Sequence, residues 1–386
     1  MTSPITIIGS GLAGYTFARE FRKHDQDTAL RIITADNGSF YSKPMLSNAL
    51  TQKKTPDKLA MSDAKLMAEQ LNAEIRPFSK VTHIDTDKQC YYVDDERLEY
   101  ETLILASGAE QVPLPLAGTA TNYIISVNDL SDYRRFRSKL DGAEQVAIMG
   151  AGLIGCEFAN DLQQSGYEVI LIDPATHLLS RLLPQTASVS LEAALRRLGV
   201  RFYFEHTVET VDHAKAGYQL TLSDGEKMEI DVLLSAGGLR PRTELAREAG
   251  LTIQEGICVD RYLQTSAPNV YALGDCAEMN GLVLPYVAPI TYAAKALVKT
   301  LTGEPTQVTY PAMPIEVKTP ACPLVVASPF AIENHQDTGE WEVTGTEQNL
   351  KALYYTAEKQ LGGFVLTGNF INEKTTLTKQ LPPLLA

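Results

Sequence analysis

Apolar and polar positions repeat one pattern twice along the chain, over residues 5–36 and again over residues 146–173. Each stretch opens with a short β-branched apolar run, continues with apolar residues at helical spacing and closes with a second apolar run. The helical spacing covers Ala13–Lys23 in the first stretch and places Phe158 and Ala159 on one face in the second. Short β-branched runs are typical of buried strands, and a 3.6-residue period is typical of amphipathic helices. The pattern predicts a duplicated strand–helix–strand unit.

The remaining chain has mostly strand patterns separated by turn residues. An Ala-rich helical pattern covers Ile290–Thr300, and short strands with turns follow from about Thr309. The change near Thr309 predicts a separate small α+β domain at the C-terminal end of the chain.

Both duplicated units turn from strand to helix through a GxGxxG motif, GSGLAG in the first and GAGLIG in the second. In such a loop the first glycine makes a tight turn, the second lets the backbone approach a pyrophosphate and the third packs helix against sheet. The helix N-terminus then offers N–H donors to the phosphates. An acid follows each motif after about 20 residues. The two complete motifs predict two dinucleotide sites, carried by Gly9, Gly11, Gly14 and Asp36 in the first unit and by Gly150, Gly152, Gly155 and Asp173 in the second.

Length, charge and cysteine content narrow the function classes. A chain of 386 residues is long enough for two or three domains. The net charge of −13 disfavours a nucleic-acid partner. The chain has no apolar run long enough to span a membrane and an apolar strand close to its N-terminus, so we expect a cytoplasmic enzyme with no membrane partner. The cysteines are five in number and widely spaced, and the histidines are scattered, so we expect neither a disulfide framework nor a metal site.

Three further motifs resemble those of flavoprotein reductases with two dinucleotide-binding domains. TSAPNVYALGDCAE, residues 265–278, is similar to the motif whose aspartate, here Asp275 after Gly274, binds the ribityl chain of FAD. LILASG, which ends in Ala106, Ser107 and Gly108, resembles the end of the first FAD segment. LLSAGGLRPRTEL, residues 233–245, resembles the exit from the NAD domain. The resemblance implies that the first glycine motif binds FAD and the second binds NADH.

The segment SFYSKPMLSNAL, residues 39–50, resembles that of ferredoxin and rubredoxin reductases in the branch related to apoptosis-inducing factor. The resemblance implies that Lys43 reaches the FAD phosphates and that Pro44 lies beside the flavin ring. Many ferredoxin reductases have a lysine where this chain has Asn48, and that lysine often pairs with a glutamate of the NAD loop. The partner of Glu157 is therefore open at this stage.

The same segment contains no CxxxxC pair, which excludes chemistry of the glutathione-reductase kind. VKTPACPL, residues 317–324, and INEK, residues 371–374, resemble bacterial rubredoxin reductases, a group that includes the flavorubredoxin reductases. The resemblance implies an FAD-dependent enzyme that takes hydride from NADH and passes single electrons to the iron of rubredoxin. Two alternatives stay open: a flavorubredoxin or ferredoxin reductase with the same chemistry, and a binding protein that senses its redox state through FAD and NADH.

Two residues are candidates for a catalytic role. Glu157 either contacts the nicotinamide or merely caps its helix, since an acid is favoured near a helix N-terminus. Lys318 either stabilises the negative charge of reduced flavin or is a solvated lysine on a strand. The helix that follows Tyr286-Val-Ala-Pro is a second candidate for stabilising that charge, through its N-terminal dipole.

We therefore predict an α/β fold with two Rossmann-like dinucleotide-binding domains, three-layered as in glutathione reductase, and a small α+β C-terminal domain. The predicted ranges are 1–108 with 238–308 for the FAD domain, 109–237 for the NAD domain and 309–386 for the C-terminal domain. The predicted cofactor-binding residues are Gly9, Ser10, Gly11, Ala13, Gly14, Asp36, Lys43, Pro44, Val81, Ala106, Ser107, Gly108, Gly150, Gly152, Ile154, Gly155, Glu157, Asp173, Gly237, Gly274, Asp275 and Lys318.

Overall fold

The computed structural model describes residues 3–328 and 339–386, so parts of the predicted ranges 1–108 and 309–386 lie outside the described residues. The strands, in chain order, are β1 (Ile5–Ile8), β2 (Leu30–Ile33), β3 (Ala73–Arg76), β4 (Val81–Asp85), β5 (Cys90–Val93), β6 (Glu96–Glu99), β7 (Thr102–Leu105), β8 (Ala109–Gln111), β9 (Ile125–Ser126), β10 (Gln145–Met149), β11 (Glu168–Asp173), β12 (Arg201–Phe204), β13 (Val208–His213), β14 (Tyr218–Leu222), β15 (Lys227–Ile230), β16 (Val232–Ser235), β17 (Leu239–Pro241), β18 (Ile257–Val259), β19 (Val270–Ala272), β20 (Ala277–Met279), β21 (Ile315–Val317), β22 (Leu324–Ala327), β23 (Glu340–Gly345), β24 (Leu350–Tyr355) and β25 (Leu361–Thr367).

The longer α-helices pack against the parallel sheets. In chain order, the α-helices are α1 (Leu12–His24), α2 (Pro56–Leu59), α3 (Ala64–Leu71), α4 (Leu130–Lys139), α5 (Leu153–Gln164), α6 (Gln185–Leu198), α7 (Glu244–Glu248), α8 (Val287–Leu301) and α9 (Lys374–Thr378). A 3-10 helix at Lys43–Asn48 and shorter ones at Thr121–Tyr123 and Gly368–Glu373 complete the set among the described residues.

The first duplicated unit forms a parallel sheet in the order β19-β7-β1-β2-β3. Every residue of β1 is buried, because α1 and α8 cover one face and the antiparallel sheet β4-β5-β6 covers the other. A strand that is buried on both faces reads as a continuous apolar run, as ITII does. The unit has three layers, as predicted.

The second unit repeats this plan with a parallel sheet in the order β12-β11-β10-β16-β9. Helices α5 and α6 pack on one face, and the antiparallel sheet β13-β14-β15 packs on the other. The sheet therefore lies between two separate apolar cores. The two units together confirm the predicted fold class.

The C-terminal strands form an antiparallel sheet in the order β21-β22-β25-β24-β23, with the short helix α9 after it. Val317 and Leu350 of this sheet share a core with the helices of the second unit. Hydrogen bonds between Tyr310 and Leu385 join the start and the end of the C-terminal segment, beside the core of the first unit. Among the described residues we find no helix with the length and apolar character required to cross a membrane.

Candidate active site

The first glycine loop joins β1 to α1. Each of its three positions requires glycine for a different physical reason. Gly9 has φ +114°, and a Cβ atom there would overlap the carbonyl oxygen of Ala106. A Cβ atom on Gly14 would overlap the carbonyl oxygen of Gly9. A Cβ atom on Gly11 would meet no protein atom within 4 Å. Gly9 and Gly14 are thus required by packing, whereas Gly11 faces the open space at the N-terminus of α1, where a pyrophosphate fits.

Asp36 is held in place by a small network that the sequence only partly indicated. Its Oδ1 atom accepts hydrogen bonds from Thr34 Oγ1 at 2.7 Å, from the backbone N–H of Gly38 at 2.9 Å and from Ser10 Oγ at 3.1 Å. β2 ends at Ile33, so the carboxylate lies in the loop after the strand and is exposed beside the glycine loop. Such a carboxylate is suited to accept from a ribose hydroxyl.

A cavity of about 1240 Å³ opens beside this loop. Four predicted cofactor-binding residues line it, and so do several cationic side chains that the sequence analysis missed. Acidic side chains line the cavity as well, so it carries charges of both signs. The arginines suit the phosphates, and the carboxylates suit the hydroxyl groups, of an elongated ligand such as FAD. The predicted residues in the lining are Gly9, Asp36, Val81 and Ser107, and the arginines are Arg134, Arg240, Arg242 and Arg247.

Lys43 and Asp275 meet in the interior next to this loop. Lys43 Nζ donates to Asn128 Oδ1 at 2.7 Å and lies 3.8 Å from Asp275 Oδ2, which is too far for a good hydrogen bond. Burial lowers the pKa of Lys43 and raises that of Asp275. The Asp275 charge partly restores the pKa of Lys43, and the Lys43 charge partly restores that of Asp275. Lys43 thus has one close polar partner and the Asp275 carboxylate has its cation only at 3.8 Å, so phosphates and ribityl hydroxyls of FAD would add hydrogen bonds to both groups.

Gly274 connects the Asp275 motif to the first glycine helix. Its φ is +83°, and a Cβ atom there would lie 2.6 Å from the Cβ atom of Ala13. Larger side chains do not fit at this crossing. The two predicted residues are therefore neighbours, which places the Asp275 motif beside the glycine loop.

The second glycine loop joins β10 to α5 and has the same internal geometry. Gly150 has φ +109°, and a Cβ atom there would overlap the carbonyl oxygen of Ala236. A Cβ atom on Gly155 would overlap the carbonyl oxygen of Gly150, whereas one on Gly152 would meet no protein atom within 4 Å. Asp173 accepts from the backbone N–H of Ala151 at 2.5 Å and from that of Ala175 at 2.7 Å. These bonds orient the carboxylate at the end of β11 and leave its other lone pairs for a ligand. Of the other predicted residues, Ile154 lies in the first turn of α5 and Gly237 packs near Leu114.

Glu157 is only 5% exposed and binds two segments that are distant in the sequence. Its Oε2 atom accepts from Ser47 Oγ at 2.6 Å and from Lys318 Nζ, and its Oε1 atom accepts from the backbone N–H of Lys318 at 3.1 Å. α5 begins at Leu153, so Glu157 lies in the second turn and does not cap the helix. The capping alternative is therefore wrong, and so is the reading of Lys318 as a solvated lysine.

The structure also answers the question raised by Asn48. Lys318, which directly follows β21 of the C-terminal sheet, provides the cation that Asn48 cannot provide. The side-chain oxygen of Asn48 is buried with no hydrogen-bond partner. The ion pair of Glu157 therefore joins α5 to the residue that follows β21 of the C-terminal sheet.

Pro44 is the second residue of the 3-10 helix Lys43–Asn48. Helix α8 begins at Val287 with no side-chain cap and no acid in its first turn, so its N-terminal N–H groups stay available for the predicted stabilisation of negative charge.

Asn128 and Asp161 also bind the segment around Lys43. The sequence did not indicate them, because their partners lie 85 and 110 or more residues away.

Residues 3–298 match the family model for pyridine nucleotide-disulphide oxidoreductases, and residues 307–381 match that for the rubredoxin binding C-terminal domain. The chain belongs to the pyridine nucleotide-disulphide oxidoreductase family. It is therefore an oxidoreductase. It is 46% identical to the rubredoxin-NAD(+) reductase of Alcanivorax borkumensis, over 99% of both chains. It is 38% identical to the nitric oxide reductase FlRd-NAD(+) reductase of Salmonella arizonae, over 99% of this chain and all of that one.

Among solved structures, the ferredoxin reductase for the CYP199A2 system from Rhodopseudomonas palustris superposes with a TM-score of 0.87 at 23% identity, over 99% of this chain and 96% of that one. At that identity the likeness concerns the fold alone. The predicted resemblance to bacterial rubredoxin reductases is confirmed by the identity to the relatives and by the match of the C-terminal segment.

Proposed function

We propose that this oxidoreductase is an FAD-dependent NADH:rubredoxin oxidoreductase. The observation that carries the proposal is the position of Lys318. It belongs to the segment that matches the rubredoxin binding domain, and its ammonium group lies against Glu157 on the helix of the second glycine loop. The segment assigned to the electron acceptor and the site assigned to the electron donor therefore meet at one ion pair.

The two glycine loops divide the cofactors between them. The first loop, with Lys43 and Asp275 beside it and a cavity of about 1240 Å³ next to it, takes FAD. The second loop takes NADH, with Asp173 directed at the adenosine ribose. We assign the ranges 1–108 with 238–308, 109–237 and 309–386 to the FAD, NAD and C-terminal domains.

Bound FAD would supply the redox chemistry, which is hydride uptake from NADH and release of electrons one at a time. The chain holds the two cofactors in position for it. Asp36 and Asp275 would accept from the hydroxyls of the first cofactor, and Lys43 would offset phosphate charge. Ser47 and Lys318 hold Glu157 where the helix of the second glycine loop meets the C-terminal segment. The uncapped N-terminus of α8 would stabilise negative charge that develops nearby.

Rubredoxin is the preferred acceptor because the identity to the rubredoxin-NAD(+) reductase is higher than that to the flavorubredoxin enzyme. The same residues would serve a flavorubredoxin or a ferredoxin. We place the protein in the cytoplasm, where NADH and reduced iron carriers are available.

Anaerobic titration with NADH, followed by steady-state turnover with rubredoxin, tests the proposal. We expect one equivalent of NADH to remove the flavin absorbance and catalytic oxidation of NADH to begin only when rubredoxin is added. A protein that is reduced by NADH but turns over slowly with rubredoxin, flavorubredoxin and ferredoxin would instead be a redox-sensing binding protein, and the proposal would fail.

A further inference from the structure

The segment 41–54 carries Lys43 and Pro44, which the proposed function assigns to FAD, but it is anchored to the second unit. Lys43 donates to Asn128, and Tyr41 accepts from the backbone N–H of Leu130 at 3.2 Å. Arg137 donates to the carbonyl of Lys54 at 3.0 Å. Leu46 and Ala49 belong to the apolar core beneath the helices of that unit. Displacement of this segment would therefore move the FAD contacts relative to the second unit.

Asp161 makes the densest set of these contacts. Its side chain is 1% exposed, and Oδ2 accepts from the backbone N–H of Leu50 at 2.9 Å. Oδ1 accepts from the backbone N–H of Thr51 at 2.9 Å and from Thr51 Oγ1 at 2.6 Å. Burial raises the pKa of this carboxyl group, and the three donors act in the opposite direction. A buried carboxylate is tolerated when it is satisfied in this way.

Asp161 lies one helical turn after Glu157 on α5, so the two carboxylates project from the same face. Glu157 binds Ser47, and Asp161 binds the backbone four residues later at Thr51. Two carboxylates at helical spacing thus bind two points of the segment at matching spacing. Neither contact can be kept if the segment shifts by one residue.

The neighbouring Asn160 binds the C-terminal segment in the same manner. Its Oδ1 atom accepts from the backbone N–H of Ala321 at 3.1 Å, three residues after Lys318. α5 therefore has fixed contacts with both segments that approach the helix of the second glycine loop.

We propose that Asp161 is a positioning residue that fixes segment 41–54 on α5 and thereby sets the distance between the FAD contacts at Lys43 and Pro44 and the second glycine loop. This inference rests on the proposed function for its effect on hydride transfer. Asp161 does not touch a reacting atom itself. It acts through the backbone of Leu50 and Thr51, and hydride transfer is sensitive to shifts of about 1 Å.

Asp161→Asn tests the inference, and Asp231→Asn is a matched control. Asp231 also accepts two consecutive backbone N–H groups, those of Glu144 and Gln145, both at 2.8 Å, but it lies away from segment 41–54. Thr51→Val, which removes the hydroxyl donor, and Thr51→Ser, which keeps it, are milder variants in case Asp161→Asn does not fold.

The first measurement is amide hydrogen exchange of residues 41–54 in the protein as purified, with no NADH added. In Asp161→Asn we expect exchange at Leu50 and Thr51 to accelerate by about tenfold or more, with the wild-type rate in Asp231→Asn. Unchanged exchange at these two amides in Asp161→Asn would overturn the inference.

The second measurement is stopped-flow reduction of the FAD-loaded proteins over a range of NADH concentrations. In Asp161→Asn the limiting rate should fall by roughly tenfold to a hundredfold, while the apparent NADH dissociation constant changes less than about twofold. The limiting rate should fall less in Thr51→Val than in Asp161→Asn. In Thr51→Ser, which keeps the hydroxyl, it should equal the wild-type rate. A limiting rate in Asp161→Asn equal to that of Asp231→Asn would contradict the positioning role. Failure of wild-type protein to be reduced by NADH would contradict the proposed function and leave the exchange result to decide the anchoring.

Discussion

Lys318 and Glu157 form an ion pair across 161 residues of sequence, and the backbone N–H of Lys318 binds the same carboxylate. Glu157 is nearly completely buried, whereas the Lys318 side chain is 30% exposed. The C-terminal sheet therefore neutralises a carboxylate on the helix of the second glycine loop.

Replacement of Lys318 by methionine should leave the buried Glu157 charge without its cation. Removing one partner of a fully buried pair costs about 3–5 kcal/mol, and the partial exposure of Lys318 reduces our expectation to about 1–3 kcal/mol in the free energy of unfolding. Urea unfolding of the wild-type protein and of Lys318→Met measures this loss in the free energy of unfolding. Lys351→Met is the control, because Lys351 lies in β24 of the C-terminal sheet and pairs with Glu373, which is more exposed than Glu157. The double variant Glu157→Gln/Lys318→Met should be more stable than Lys318→Met alone, and equal or lower stability would contradict the coupling.

Gly11 and Gly14 should respond differently to valine. Gly11 has φ −65° and open space around a Cβ atom, so Gly11→Val should fold within about 1 kcal/mol of the wild-type protein without cofactor. It should bind no FAD, because the side chain would occupy the path of the pyrophosphate. Gly14→Val should not fold, because its Cβ atom overlaps the Gly9 carbonyl. Thermal unfolding and flavin content of the purified proteins check both, and a yellow Gly11→Val protein would disprove the FAD assignment.

Asp173 should give a preference for NADH over NADPH. A carboxylate at the end of β11 accepts from the ribose 2′-hydroxyl and repels a 2′-phosphate, and residues 174–177 contain no arginine. Asp173→Asn keeps an acceptor oxygen for the N–H of Ala151 or Ala175 and removes the charge. The ratio of second-order rate constants for reduction by NADH and NADPH should drop by about tenfold, equivalent to 1.4 kcal/mol. Equal constants in the wild-type protein would refute this assignment.

The cysteines should take no part in electron transfer. All five, which lie within the described residues, are free thiols. Burial raises the pKa of Cys156 and Cys276 and raises that of Cys322 to about 11, so the thiolate forms are scarce at neutral pH. Reduction by NADH should produce no thiolate–flavin charge-transfer band. Single serine replacements should leave the reduction rate within about threefold, with packing losses of about 1–3 kcal/mol in stability. A band near the long-wavelength edge of the flavin spectrum that one replacement abolishes would contradict this expectation.

The sequence was sufficient for features that depend on local patterns. The glycine spacing, the strand–helix order and the position of Asp36 and Asp173 all follow from residues within about 30 positions of each other. The partner of Glu157 could not be predicted, because Lys318 follows a short strand in a different sheet and nothing in VKTP specifies where its ammonium group lies. Asp161 was missed for the same reason. Its polar partners are mainly backbone N–H groups, which carry no sequence signal.

Competition between electron acceptors tests the central claim most directly. Protein reduced with one equivalent of NADH is mixed with rubredoxin, a two-iron ferredoxin or air-saturated buffer, at low and moderate salt. We expect rubredoxin to reoxidise the flavin fastest and dioxygen to do so slowly. Faster reoxidation by the two-iron ferredoxin would assign the protein to the ferredoxin reductases, and reoxidation by dioxygen alone would make it an NADH oxidase.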